Sequence, residues 1–169
     1  MIRPNTVSAE QLMREAIRLA YQGIDSGAGG PFGAVIADEG GNILAGAHNE
    51  VLKTGDPTSH AEIMAIRALG SYSLPSVTMF ATGYPCPMCL AALLWARIPK
   101  VYYCNDYTMA KAIGFDDDAF MHTLGEIYQC SPTFSEKSHT SLIAISPLTL
   151  PEGKELYDYW LNQPGHKHY

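Results

Sequence analysis

The chain has 169 residues, 47% of them hydrophobic, which is enough for one substantial core and leaves no room for a second catalytic domain. Its 11 Lys and Arg against 17 Asp and Glu give a formal charge of −6, so the broad basic surface that nucleic-acid backbones select is excluded. Charged residues make up only 17% of the chain, where an ordinary soluble domain carries about 25%, and this deficit predicts surface hidden in an oligomer.

In chain order, Ser8-Ala9-Glu10-Gln11 is a capping-box pattern. The apolar residues Met13, Ala16, Ile17, Ala20, Tyr21 and Ile24 behind it predict an amphipathic helix ending near Gly27. Phe32 to Ala37 and Ile43 to Ala47 are apolar runs joined by the turn-rich Asp38 to Asn42, which reads as a β-hairpin. A polar loop through Gly55-Asp56-Pro57-Thr58 leads into Ser59-His60-Ala61-Glu62, a second capping-box pattern, with Ile63, Ala65, Ile66 and Leu69 continuing a helix. Val77 to Thr82 predicts a strand, Pro85 to Pro87 breaks it, Met88 to Arg97 is helical, and Lys100 to Cys104 is another short strand. Strand, helix, strand in this order implies a parallel pair with the helix crossing one sheet face. Beyond Tyr107 the pattern predicts a helix at Met109 to Ile113, an acidic turn at Asp116-Asp117-Asp118 and a short helix near Phe120. A last strand at Leu142 to Ile145 and a final helix from Glu152 to Leu161 follow. No repeat or linker divides the chain, so the economical architecture is a single α/β domain over residues 1–169. It is a three-layer α/β/α arrangement in which one mixed sheet is covered by helices on both faces.

No stretch of 18 apolar residues occurs and Met1 to Glu10 carries no leader pattern, which predicts a soluble cytoplasmic protein with no membrane partner. The 4 cysteines are too few for a dense disulfide framework. Cys86 and Cys89 stand as Cys-x-x-Cys, a spacing that in the cytosol points to metal or redox chemistry.

The chemistry concentrates in His60-Ala61-Glu62 and Pro85-Cys86-Pro87-Met88-Cys89, each at the predicted N-terminus of its own helix. Side chains in a first helical turn lean toward the N-terminus, so His60, Cys86 and Cys89 converge on one point beyond both helix ends. One imidazole and two thiolates suit Zn²⁺, and three protein ligands leave the fourth tetrahedral position for water, the pattern of a catalytic zinc. Zinc lowers the pKa of bound water to about 7, and Glu62, without being a ligand, then takes that proton and passes it on. Three plainer readings compete. Glu62 closing a capping box with Ser59 leaves His60 unexplained. A closed structural zinc site needs a fourth ligand from Cys104, Cys130, His48, His122 or His139, none at suitable local spacing. A thioredoxin-like redox pair leaves the His-x-Glu unexplained.

His-x-Glu with Pro-Cys-x-x-Cys is a known signature of zinc nucleobase deaminases, and on it the chain resembles the cytidine deaminase-like superfamily. Within that superfamily it is most similar to the bacterial zinc-type guanine deaminases. The resemblance runs through Gly29 to Ile36, Asn49, Asp56-Pro57-Thr58, His60-Ala61-Glu62 and Ala65-Ile66-Arg67. It continues through Cys86 to Leu90, Trp95-Ala96-Arg97 and Gly114-Phe115-Asp116-Asp117, and reaches the C-terminus at Tyr157, Trp160, Asn162, Lys167 and Tyr169.

It implies a mixed five-stranded sheet, one Zn²⁺ per subunit held by His60, Cys86 and Cys89, and Glu62 as proton shuttle. It implies substrate binding by Phe32 stacking on a purine, Asn49 bonding its edge, Ala61, and Trp95 walling the pocket, with Asp117 contacting the leaving amino group. It also implies a homodimer in which the C-terminal segment, about residues 150–169, is exchanged, bringing Tyr169 over the partner's site. The expected activity is hydrolysis of guanine to xanthine and ammonia, with a small nucleobase and no nucleic acid as partner. Cytosine, another aminopurine, a tRNA adenosine and a non-catalytic zinc module are the rival readings.

Without the resemblance, Phe32 and Trp95 read as core residues, Asn49 as a turn residue, and Asp116 to Asp118 as a solvated cap in which Asp116 and Asp117 are interchangeable. Gly165 to Tyr169 reads as a frayed tail, and His166 and His168 are not promoted to metal ligands. Tyr84 stands where many relatives carry Glu, beside the zinc loop, and residues 121–150 fit the family poorly.

Overall fold

The computed structural model describes residues 7–129 and 142–169, so Cys130 and His139, both raised above as ligands, lie outside the described residues. Helix α1 (Ala9–Asp25) starts at the expected capping box: Ser8 Oγ accepts from the Gln11 N–H at 3.2 Å, and Gln11 Oε1 accepts from the Ser8 N–H at 2.8 Å. Both bonds satisfy donors that a helix start leaves unpaired. The hairpin follows as β1 (Gly33–Asp38) and β2 (Ile43–His48), then a short helix α2 (Val51–Thr54) just ahead of the polar loop at Gly55 to Thr58. Next come α3 (Ala61–Leu69), β3 (Val77–Gly83), α4 (Pro87–Trp95) and β4 (Lys100–Asn105). The chain continues with α5 (Tyr107–Ala112), α6 (Asp118–Gln129), β5 (Ala144–Pro147) and α7 (Pro151–Leu161).

The strands form one sheet of 5 in the order β2-β1-β3-β4-β5, with β1 antiparallel to both neighbours and β3, β4 and β5 parallel. Alternation along β1 divides the core into two layers, because successive side chains point to opposite faces. Val35 and Ala37 pack with Met13, Ile17, Leu156 and Trp160 of α1 and α7, whereas Ala34 and Ile36 pack with Ala61, Ala65 and Leu93 of α3 and α4. The expected three-layer arrangement is therefore present, and α3 and α4 start at the same end of the sheet, where β3 and β4 finish.

Three local expectations need correction. The Ser59 box does not form: His60 is the N-cap of α3 and makes no side-chain cap bond, while Ser59 Oγ instead accepts from Thr54 Oγ1 at 3.1 Å. Helix α6 runs for 12 residues rather than as a short helix near Phe120, since Phe120, Met121, Leu124 and Ile127 recur at helical spacing. Strand β5 begins at Ala144, set by its pairing from Lys100↔Ala144 onward rather than by hydrophobicity.

Cys104, which had no role in the sequence reading, anchors α7. Its Sγ accepts from the Leu150 N–H at 3.3 Å and donates to the Leu150 carbonyl at 3.6 Å, and Asn105 Nδ2 donates to the Gly153 carbonyl at 2.8 Å. A Cβ at Gly153 would lie 2.4 Å from that sulfur, so this close approach requires glycine.

Candidate active site

The ends of α3 and α4 build the site. His60 is the extended residue before α3, and Cys86 is the extended N-cap of α4, followed by Pro87 at the first helical position. Cys86 Sγ accepts from the Cys89 N–H at 3.5 Å, which folds the Cys-x-x-Cys around one point. His60 Nδ1 lies 3.6 Å from Cys86 Sγ and 3.6 Å from Cys89 Sγ. A tetrahedral ion with Zn–N near about 2.0 Å and Zn–S near about 2.3 Å holds its N and S ligands roughly 3.6 Å apart, so the residues present fit zinc.

All three donor atoms lie within 4.8 Å of one another, and among the described residues no further His, Cys, Asp or Glu joins them. Of the proposed fourth ligands that are described, Cys104 is tied to Leu150, His48 Nδ1 lies 3.0 Å from the Asn49 carbonyl, and His122 is not grouped with the three donors. Among the described residues this is an open, three-ligand arrangement.

The local electrostatics favour a thiolate at Cys86. Hydrogen bonds from the Cys89 thiol and from His60 bring Cys86 down to about 4, while donation to Cys86 and burial push Cys89 up. His60 is raised by its bond to Cys86 and by the charge of Glu62, against the pull of burial. The N-terminus of α4, which Cys86 caps, acts on Cys86 in the same direction as the bonds it accepts.

Glu62, in the first turn of α3, is buried, and burial together with the charge at Cys86 holds its carboxyl above the usual carboxylate range. A carboxyl whose affinity for a proton is raised by burial is suited to taking that proton and returning it. Ala61, fully buried between His60 and Glu62, is the first residue of α3, so its N–H has no acceptor within the helix.

Around this centre the structure gathers most of the residues expected to hold substrate. The Phe32 ring meets Phe115 edge-on at 4.9 Å and Tyr157 at 6.0 Å. Asn49 is 1% exposed; its Oδ1 accepts from the Val51 N–H, while its Nδ2 has no partner among the described residues. A buried amide donor left unpaired marks a position where a ligand acceptor is called for. The Asn49 side chain reaches there because a Cβ at Gly29 would stand 2.0 Å from Asn49 Oδ1.

The tail is docked rather than frayed. Tyr169 Oη accepts from the Gly30 N–H of its own chain at 2.9 Å, and its ring lies 5.5 Å from Phe115. His166 and His168 join the same aromatic cluster, His168 on Phe115 and His166 on Trp160, and neither joins the metal site.

The acidic turn separates its three carboxylates. Asp116 and Asp118 pair with Lys111, whereas Asp117 forms no ion pair among the described residues and is raised by partial burial and by the charge at Cys86. The geometry thus distinguishes Asp117 from Asp116, which sequence alone left interchangeable. Trp95 is the exception to the expected set. It is the last residue of α4, at the opposite end from Cys86, and is 85% exposed, so within one chain it neither walls the pocket nor enters the core. Tyr84 turns its ring onto Tyr103 at 5.0 Å, away from a role among the ligands. Phe115 and Tyr157, both quoted in the resemblance without a role, are the residues the sequence reading missed. Phe115 touches Phe32, Trp160, His168 and Tyr169, and its signal was a lone aromatic beside three aspartates.

Residues 6–105 match the family described as the cytidine and deoxycytidylate deaminase zinc-binding region, and the chain belongs to this family of zinc-dependent hydrolytic deaminases. Among particular relatives, it is 37% identical over 164 residues to a guanine deaminase of Bacillus subtilis (strain 168), spanning 95% of this chain and 98% of that one. The X-ray structure of guanine deaminase from Bacillus subtilis superposes with a TM-score of 0.65 at 36% identity, covering 96% of this chain and 99% of that one. A tRNA-specific adenosine deaminase of Haemophilus influenzae is 38% identical over 125 residues, 68% of this chain and 71% of its own. A protein of Schizosaccharomyces pombe named probable cytosine deaminase is 36% identical over 93 residues, 54% of this chain and 56% of its own. Among the described residues, no helix is long and apolar enough to cross a membrane.

Proposed function

We propose that this chain hydrolyses guanine to xanthine and ammonia, as one deaminase domain. The observation that carries this reading is the C-terminus. Likeness to the guanine deaminase runs through nearly the whole of both chains, and here the last residue, Tyr169, seats on Gly30 beside Phe115 and the substrate-facing Phe32. A tail docked there favours a free base over a base embedded in tRNA, as does a chain with only 11 Lys and Arg.

In this reading His60, Cys86 and Cys89 hold the zinc, which when bound supplies the Lewis acidity that makes water nucleophilic near neutral pH. Phe32 stacks on the purine, the unpartnered Asn49 Nδ2 donates to an acceptor on its edge, and the Ala61 N–H offers a second donor. Glu62 takes a proton as the water oxygen adds to C2, and returns it to the adjacent ring nitrogen. A second proton passes through Glu62 to the exocyclic amine, the C2–N bond breaks, and ammonia leaves while the C2 carbonyl of xanthine forms. Asp117 accepts a hydrogen bond from the departing amino group. The low charged fraction and the exposed Leu94 and Trp95 of α4 support a homodimer. The contacts that seat α7 on α1, such as Arg14 with Glu152 and Tyr159 with Asp25, are equally available to an exchanged α7.

A panel of free bases assayed for ammonia tests the substrate. Guanine is expected to be turned over at least about tenfold better, by kcat/KM, than cytosine or adenine. Inactivity on guanine with turnover of cytosine would overturn the choice.

A further inference from the structure

We propose that Lys111 is a positioning residue for the reaction: by drawing Asp116 and Asp118 to one side, it leaves Asp117 projecting toward the zinc site. The inference rests on the role given to Asp117 in the deaminase reading above. Three consecutive carboxylates repel one another, and nothing in such a run decides which of them faces the chemistry. Lys111, in the last turn of α5, decides it. Its Nζ lies 3.2 Å from Asp116 Oδ2 and also bonds Asp118 Oδ2, so residues on either side of Asp117 share one ammonium. The backbone is closed on the same side, because Asp116 Oδ1 accepts from the Asp118 N–H at 3.1 Å.

With both neighbours held by Lys111, Asp117 is half-buried where Asp116 is exposed, two residues after the Phe115 ring that meets Phe32 at 4.9 Å. The other end of the turn is fixed by Phe115, whose ring rests on Phe32. Asp117 is therefore held between an aromatic anchor in the pocket and an ion-paired anchor outside it. All three members of the clamp are close to half exposed, so its contribution to stability is small and its effect is on direction.

The test is a double-mutant cycle of Lys111→Gln and Asp117→Asn, with kcat and KM measured on whichever base is turned over fastest. Zinc content and thermal midpoint are followed in each protein. Lys111→Gln is expected to lower kcat about tenfold with KM within about twofold, full zinc and an unchanged midpoint, and Lys111→Arg to restore most of the loss. In the Asp117→Asn background, Lys111→Gln is expected to have no further effect, because the lysine acts only through that aspartate. A wild-type kcat in Lys111→Gln, a loss fully additive with Asp117→Asn, or a wild-type kcat in Asp117→Asn each overturns the proposal. A wild-type protein that deaminates no base overturns the deaminase reading and this proposal with it, whereas failure of the proposal alone leaves the wild type active.

Discussion

Replacing Glu62 with Gln is expected to lower kcat by about three to four orders of magnitude while leaving the zinc content at its wild-type level. Glutamine keeps the shape of the side chain and a hydrogen bond to substrate, but it cannot accept the water proton or return it to the leaving amine. Zinc is unaffected because the three ligand atoms belong to His60, Cys86 and Cys89 alone. Folding is not at risk, since a buried carboxyl costs stability that a neutral isostere does not. Ammonia release and metal analysis on the same preparation check both halves. A Gln variant with near-normal turnover would mean that another group moves the proton and would contradict the role of Glu62.

Cys89→Ser is expected to weaken zinc binding by more than about 100-fold and to abolish turnover in the protein as purified. A serine hydroxyl stays protonated near neutral pH and brings no negative charge to the ion, whereas Cys89 is a buried thiol whose sulfur stands 3.6 Å from His60 Nδ1. The same change keeps the Cys89 N–H that donates to Cys86 Sγ, so the turn of α4 remains. Loss of activity should therefore follow loss of metal rather than loss of fold. Zinc content and far-ultraviolet circular dichroism separate the two. A serine variant that holds a full complement of zinc would contradict the ligand assignment.

What could be read from the sequence was what is encoded locally. His60, Cys86 and Cys89 were legible because each lies within the first turn, or at the cap, of a helix whose start is marked by its own residues. First-turn geometry then fixes where the side chains point. Glu62 was legible as chemistry only by setting aside the capping box, and the structure removes that competitor, since Ser59 bonds Thr54 instead. The choice between Asp116 and Asp117 was not legible, because identical carboxylates are sorted by a lysine of the preceding helix, through side-chain pairing that spacing does not specify.

Trp95, exposed in one chain, was not legible for a related reason: whether this chain or another covers an apolar residue at a helix end is a property of the assembly. The start of β5 was missed because an edge strand takes its register from its neighbour. Cys104 gave no signal at all, since its partners are the backbone atoms of Leu150, 46 residues away.

The central claim, that this fold deaminates a free base through a zinc held by His60, Cys86 and Cys89, is tested most directly by metal reconstitution. Protein stripped of metal by chelation is titrated with Zn²⁺, and ammonia release from guanine is followed against the zinc retained. Ammonia release is expected to be negligible at the start, to rise in proportion to zinc, and to level off at one ion per chain. Full activity in the stripped protein, or one tightly held zinc per chain with no ammonia from any base, would contradict it.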